Sequence, residues 1–249
     1  MVAGYVGSDF GWKRFAARWA AALDGERVSI LHRTDLENFR GEFTAERGWN
    51  PSRRTVFLKR LHYIIKTNTD SAVAATVLKD DFERTMPSWI KELVGGPYGW
   101  CAFWCTFAMR GWCQERHHSG LINWVFEAGA EGTREILEMF QALQLTTLRA
   151  SVQVGTWTFA AKDLKPLQAA DLVAYELFKH VENQILDSGR RPRRLSALDL
   201  FRRQDERYVT LWDKDRLRIW LAGAERKLPT YEGISLEEMD ELKRAVRRH

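Results

Sequence analysis

Leu167-Gln168-Ala169-Ala170-Asp171-Leu172 sets an amide and a carboxylate three residues apart inside a run that otherwise has the composition of a buried helix. Leu167, Ala170, Ala174, Leu177, Val181 and Ile185 recur at steps of three and four, the spacing of one helical face, and Pro166 suits a first turn. Gln168, Asp171, Tyr175 and Glu182 keep the same rhythm one residue further on, a second stripe about 100° round the axis. The spacing predicts a core-facing helix with a polar stripe along the border of the core. An amide and a carboxylate in that place can hold a metal ion or orient a substrate, and they can equally hydrogen-bond neighbouring backbone.

Outward from that helix, strand and helix patterns alternate. Residues 2 to 7 read as a strand, and Ser8 or Asp9 caps a helix whose apolar face is Trp12, Phe15, Trp19 and Leu23. Val28 to His32 reads as a second strand, followed by Thr34 and Glu37 in capping-box spacing, with Asp35 suited to the helix start. Asn50-Pro51 opens a helix that turns Phe57, Leu61, Ile64 and Ile65 inward. Ala72 to Leu78 is a third strand, and Asp80-Asp81 after it serve as helix caps or as ligands. Gly95-Gly96-Pro97 breaks the chain ahead of an aromatic helix from about Trp100 to Arg116. Leu121 to Glu127 alternates as a strand does, and Glu127 closes it before a glycine-rich turn, where an acid can enter a site at a sheet rim. Thr133 caps a helix through Gln144, and Leu148 to Phe159 supplies a long strand or a hairpin turning near Gly155. Past Leu186 the pattern predicts a helix through Leu211-Trp212, and Ser235 with Glu238 frames a capping box for a last helix, Leu236 to Arg248.

The segment from Ala161-Lys162 to Leu172, ending in Gln168-Ala169-Ala170-Asp171, resembles the Gln-x-x-Asp signature of the bacterial domain of unknown function 3800 family. Val2-Ala3-Gly4-Tyr5-Val6 followed by Trp12, Phe15 and Trp19 resembles that family's second strand and first helix. His32 with Asp35 is similar to its next strand end, and Val125-Phe126-Glu127 with Gly129 to its later acidic strand. The match runs from residue 2 to about residue 187, with Ala161 where the family has Ser before Lys. This resemblance implies a ribonuclease H-like fold, whose acids meet at one end of a central sheet and bind divalent metal. It implies Glu127 and Asp171 as Mg²⁺ or Mn²⁺ ligands, with Gln168 orienting a ligand or water. The family also carries an Asp-Glu pair on a strand ahead of the equivalent of Val2, and that strand is absent here. Either the start is misassigned or this copy is degenerate and inactive as it stands.

Composition fits a globular chain with a full core: 249 residues, 45% hydrophobic and 29% charged. No apolar run approaches the ~18 residues of a membrane span, and the N-terminus lacks the layout of a signal peptide, which reads as cytoplasmic with no membrane partner. Cys101, Cys105 and Cys113 sit close to His117 and His118, but on one helix Cys101 and Cys113 lie ~18 Å apart, too far for one zinc ion. Reduced core thiols explain them. The net charge of +5 is concentrated in residues 190 to 227, which hold 12 Lys and Arg against 6 Asp and Glu. Arg190, Arg191, Arg193, Arg194, Arg202 and Arg203 there either track nucleic-acid phosphates or form a solvated linker.

The sequence thus predicts an α/β fold with a central mixed sheet and flanking helices, ribonuclease H-like, over 1–188, and a basic α-helical C-terminal extension over 189–249. The expected function is a metal-dependent, phosphodiester-hydrolysing nuclease-like protein with Glu127, Gln168 and Asp171 at its site. The alternative is a non-catalytic nucleic-acid- or protein-binding module, and a homo-oligomer is open in either case. A hydrolase of another kind built on the same carboxylates is also open.

Overall fold

The computed structural model describes residues 1–146, 148–183, 200 and 208–225, with short pieces at 230–231, 234–235, 237–238, 240–241 and 244. The protein is α/β with a mixed sheet and flanking helices. Its described strands are β1 (Val2–Val6), β2 (Ser71–Val77), β3 (Ile122–Glu127), β4 (Val154–Ala160), β5 (Val209–Trp212), β6 (Thr230–Tyr231) and β7 (Ile234–Ser235). One sheet has the order β1-β2-β5, with β1 at its edge; β3 and β4 form a second, β6 and β7 a third. The chain divides into two compact units: Met1–Val2, Ala74–Ala160 and Arg207–His249 form the first, and Ala3–Val73 with Ala161–Glu206 the second.

In the second unit, α1 (Asp9–Glu26) is capped by Ser8, whose hydroxyl accepts the Gly11 N–H at 3.1 Å, and α3 (Pro51–Asn68) by Asn50, whose side chain accepts the Arg53 N–H at 3.0 Å. α1 buries Phe15, Trp19, Ala22 and Leu23, and α3 buries Phe57, Leu61, Ile64 and Ile65, as their periodicity requires. Val28 to His32 is not a strand. Val28 N–H bonds the Leu23 carbonyl, Ser29 N–H the Glu42 carboxylate and Leu31 N–H the Gln168 side chain, so these donors are spent on a loop and distant side chains rather than on a ladder. α2 (Arg33–Asn38) follows with His32 as its cap residue and no side-chain cap bond. The expected Thr34/Glu37 capping box does not form, because the helix starts at Arg33 and puts Thr34 inside its first turn; Glu37 instead accepts from Arg33 Nη1 at 2.7 Å.

In the first unit, β3 and β4 pair in parallel from Ile122 opposite Val154 to Glu127 opposite Ala160, which rules out a hairpin at Gly155. The start of the expected strand is instead a short helix, α8 (Leu148–Ser151). Helices α4 (Lys79–Thr85), α5 (Ser88–Val94), α6 (Pro97–Glu115) and α7 (Thr133–Gln144) surround these strands in the chain. Asp80 and Asp81 occupy the first turn of α4 without a side-chain cap bond, placing negative charge at the positive end of the helix. The expected helix through Leu211-Trp212 is β5, which runs parallel to β2 with Ala74 opposite Val209 and Val77 opposite Trp212. Val209, Thr210 and Trp212 suit a pleated surface better than a helix. The extension from 189 is therefore not wholly helical, and its strand joins a sheet begun near the N-terminus. α10 (Lys214–Glu225) then packs Trp220 against Trp100 of α6, ring centroids 5.0 Å apart. Most of the expected helix Leu236 to Arg248 lies outside the described residues. No helix among the described residues is long and apolar enough to cross a membrane.

Candidate functional site

The quoted stretch lies in α9 (Lys165–Val181), in the second unit, with Pro166 in its first turn. Its buried residues are Leu167, Gln168, Ala169, Leu172, Val173, Glu176 and Leu177, while Ala170, Ala174 and Val181 are half-buried. The core-facing stripe is thus rotated from the expected one toward Gln168 and Glu176. Both polar groups are tolerated inside because both are hydrogen-bonded. Gln168 Oε1 accepts the Trp19 indole N–H at 3.0 Å and the Leu31 amide at 3.1 Å, and Gln168 Nε2 donates to the Lys162 carbonyl at 3.3 Å. Glu176 accepts from Arg33 Nε at 2.9 Å and Nη2 at 2.5 Å, an ion pair buried on both sides. The Arg33 guanidinium also lies 4.6 Å from the centroid of the Tyr175 ring.

Asp171 stands at the edge of this buried network. Its Oδ2 lies 3.5 Å from Lys162 Nζ and accepts the Arg33 backbone N–H at 3.3 Å. Lys162 Nζ lies 3.3 Å from His32 Nε2, and His32 Nδ1 is 4.0 Å from Asp35 Oδ2. Side-chain exposures of 47% for His32, 22% for Lys162 and 25% for Asp171 leave the cluster open to a ligand. Gln168 explains how Lys162 arrives there. By holding the Lys162 carbonyl it fixes the turn before α9, so that the ammonium faces the carboxylate on the next turn of the same helix.

As a metal centre the donor set around Asp171 fits poorly. The carboxylate oxygen already faces an ammonium, and a divalent ion beside it would be repelled. Among the described residues, no three or more His, Cys, Asp or Glu side chains converge as a metal cage. Glu127 does close β3, half-buried and opposite Ala160, but it belongs to the first unit, whereas Gln168 and Asp171 belong to the second. Neither unit by itself therefore assembles the expected Glu127 and Asp171 pair. The six arginines from Arg190 to Arg203 lie outside the described residues.

Two contributors escaped sequence reasoning. Lys162 lies inside the segment that resembles the family signature, yet nothing in its spacing marks it as a partner of Asp171, because the turn before α9 sets that contact. Arg33 follows His32, and although Glu37 stands four residues on, its buried role depends on Glu176 far along the chain. No family model, no curated protein and no solved structure matches this chain.

Proposed function

We propose that this chain is a ribonuclease H-like protein of the domain of unknown function 3800 type, in which Lys162, Asp171 and His32 engage the phosphodiester of a nucleic acid. The observation that carries the reading is Lys162 Nζ held between Asp171 Oδ2 at 3.5 Å and His32 Nε2 at 3.3 Å in a part-exposed cluster. An ammonium oriented in this way offers charge-assisted hydrogen bonds to a non-bridging phosphate oxygen, and the imidazole supplies a second polar contact. Asp171 acts as the anchor that aims Lys162. Phosphoryl transfer needs several hard ligands around one or two ions. A carboxylate engaged by lysine supplies too little, so the chain as it stands binds and does not cleave. Arg190, Arg191, Arg193, Arg194, Arg202 and Arg203 add cations for the same partner. Three free cysteines accord with a reducing, cytoplasmic setting.

One observation favours the metal-dependent nuclease reading: Asp171 Oδ1 has no hydrogen-bond partner among the described residues, which leaves it open to Mg²⁺ or Mn²⁺. Incubating the chain with end-labelled single-stranded and duplex DNA and RNA, with and without Mn²⁺, separates the two. Binding without products in either condition supports the first reading. Products that need metal and disappear in Asp171→Asn would replace it with the second.

A further inference from the structure

The outer faces of α1 and α3 in the second unit carry a surplus of positive charge with few acids near it. α3 contains Arg53, Arg54, Lys59, Arg60 and Lys66 and no acid, and between Phe10 and Leu23 α1 contains Lys13, Arg14 and Arg18 and no acid. Arg53 is engaged by Glu26 at 2.8 Å and Arg54 by Glu37 at 3.5 Å. Arg14, Arg18 and Arg60 instead bond neutral acceptors. Arg14 donates to Asn68 Oδ1 at 2.6 Å and to the Thr67 carbonyl at 2.7 Å, Arg18 reaches the Thr67 hydroxyl at 3.5 Å, and Arg60 reaches the Ala21 carbonyl at 3.5 Å. Such acceptors orient a guanidinium without cancelling its charge, and these same bonds join the exposed side of α1 to that of α3. Lys13 and Lys59 stand exposed on the same two helices.

Two aromatic rings project from this charged surface. Phe10 is 71% exposed, with the Arg14 guanidinium 5.6 Å from its centroid, and Tyr63 is 64% exposed one turn before Thr67. A single exposed aromatic is ordinary on any protein surface. Two of them interleaved with five cations that no described carboxylate neutralises match the pattern of a single-strand track, in which cations follow the backbone and rings stack on bases.

We infer that this face of α1 and α3 binds single-stranded nucleic acid, with phosphates on Lys13, Arg14, Arg18, Lys59 and Arg60 and bases on Phe10 and Tyr63. The inference names the partner class of the proposed function but stands on different residues, and does not need the Lys162 cluster to be correct.

The test is fluorescence anisotropy with a labelled oligo(dT) of about 15 nucleotides, a length that such grooves accommodate. Binding should be measurable at low salt and weaken as salt rises, with a log-log slope of about −3 to −4 if five phosphates are neutralised at about −0.7 each. Arg18→Glu with Lys59→Glu should weaken binding at least about tenfold and make the slope shallower, since two fewer phosphates are met. Phe10→Ala with Tyr63→Ala should weaken it about tenfold with the slope unchanged, because stacking releases no counterions. All four positions are exposed, and thermal melts matching wild type would confirm folded variants. Lys162→Met reads the other cluster separately, and the helix-face variants should have the same effects on affinity and slope in that background. No binding by the wild-type chain at low salt, or charge reversals that change neither affinity nor slope, would overturn the inference. Loss on Lys162→Met with the helix-face variants unaffected would overturn it too, while supporting the Lys162 site.

Discussion

Gln168 Oε1 accepts the Trp19 indole N–H at 3.0 Å and the Leu31 amide at 3.1 Å in a fully buried setting, which makes this glutamine a tie between α1, the segment before α2 and α9. Gln168→Leu leaves two buried donors unmet and frees the Lys162 carbonyl. At about 1–3 kcal/mol for each of the two orphaned donors, the expected loss is roughly 2–6 kcal/mol in urea unfolding. An unchanged midpoint would show that Gln168 is not structural.

Arg33 and Glu176 depend on each other in the same way. Arg33 is 1% exposed and Glu176 is 0% exposed, so removing Arg33 strands the Glu176 charge in the core, and removing Glu176 leaves the buried guanidinium with Glu37 as its one ion-pair partner among the described residues. Glu176→Ala is expected to cost about 3–5 kcal/mol, whereas Arg33→Met combined with Glu176→Leu should recover most of that loss, because an apolar pair replaces the ion pair without an orphaned charge. Equilibrium unfolding of the two singles and the double checks this; equal losses in all three would contradict it.

These two pairs also explain what the sequence could and could not disclose. α1, α3 and α6 are legible because their signals are local: Ser8, Asn50-Pro51 and Gly96-Pro97 mark starts, and Phe15, Trp19, Phe57 and Leu61 recur at helical spacing. The end of β3 at Glu127 is legible from alternation ahead of Gly129. Val28 to His32 looks like a strand because Val28, Ile30 and Leu31 are apolar, but the Leu31 donor goes to Gln168, a residue 137 positions away. The rotation of α9 is equally hidden, since burial of Glu176 makes sense only with Arg33, 143 positions away. β5 is masked by basic flanks and declares itself only through its register with β2.

Tyr98, in α6, couples the stability of the first unit to alkaline pH. Burial, with the Glu131 and Glu135 carboxylates adding to it, pushes its phenol from an ordinary value of 10.0 up to about 12. A folded pKa above the unfolded one means that the unfolded chain releases this proton first, so the stabilisation is full below about pH 10 and is lost as pH rises toward about 12. Tyr98→Phe should remove that part of the pH dependence in thermal melts between these limits. A variant curve that falls as steeply as wild type would place the alkaline sensitivity elsewhere.

Gly132 shows how closely Tyr98 is packed. It has φ +82° and the Tyr98 ring against it, so a Cβ there meets both a left-handed backbone and an occupied space. Gly132→Ala is expected to lower stability by about 1–3 kcal/mol, and to do so less when combined with Tyr98→Ala, as unfolding midpoints of the single and double variants would read.

The most direct measurement of the central claim follows the Arg33 backbone amide by NMR while a dinucleotide with one phosphodiester is titrated in. That amide bonds Asp171 Oδ2, the oxygen that Lys162 also faces, and a dinucleotide is too short to follow an extended charged track. The account predicts a saturable shift of the Arg33 resonance in wild type. It predicts affinity about tenfold or more weaker in Lys162→Met, the scale of one lost charge-assisted hydrogen bond. An Arg33 amide that does not respond, or a Lys162→Met variant that binds as tightly as wild type, would contradict it.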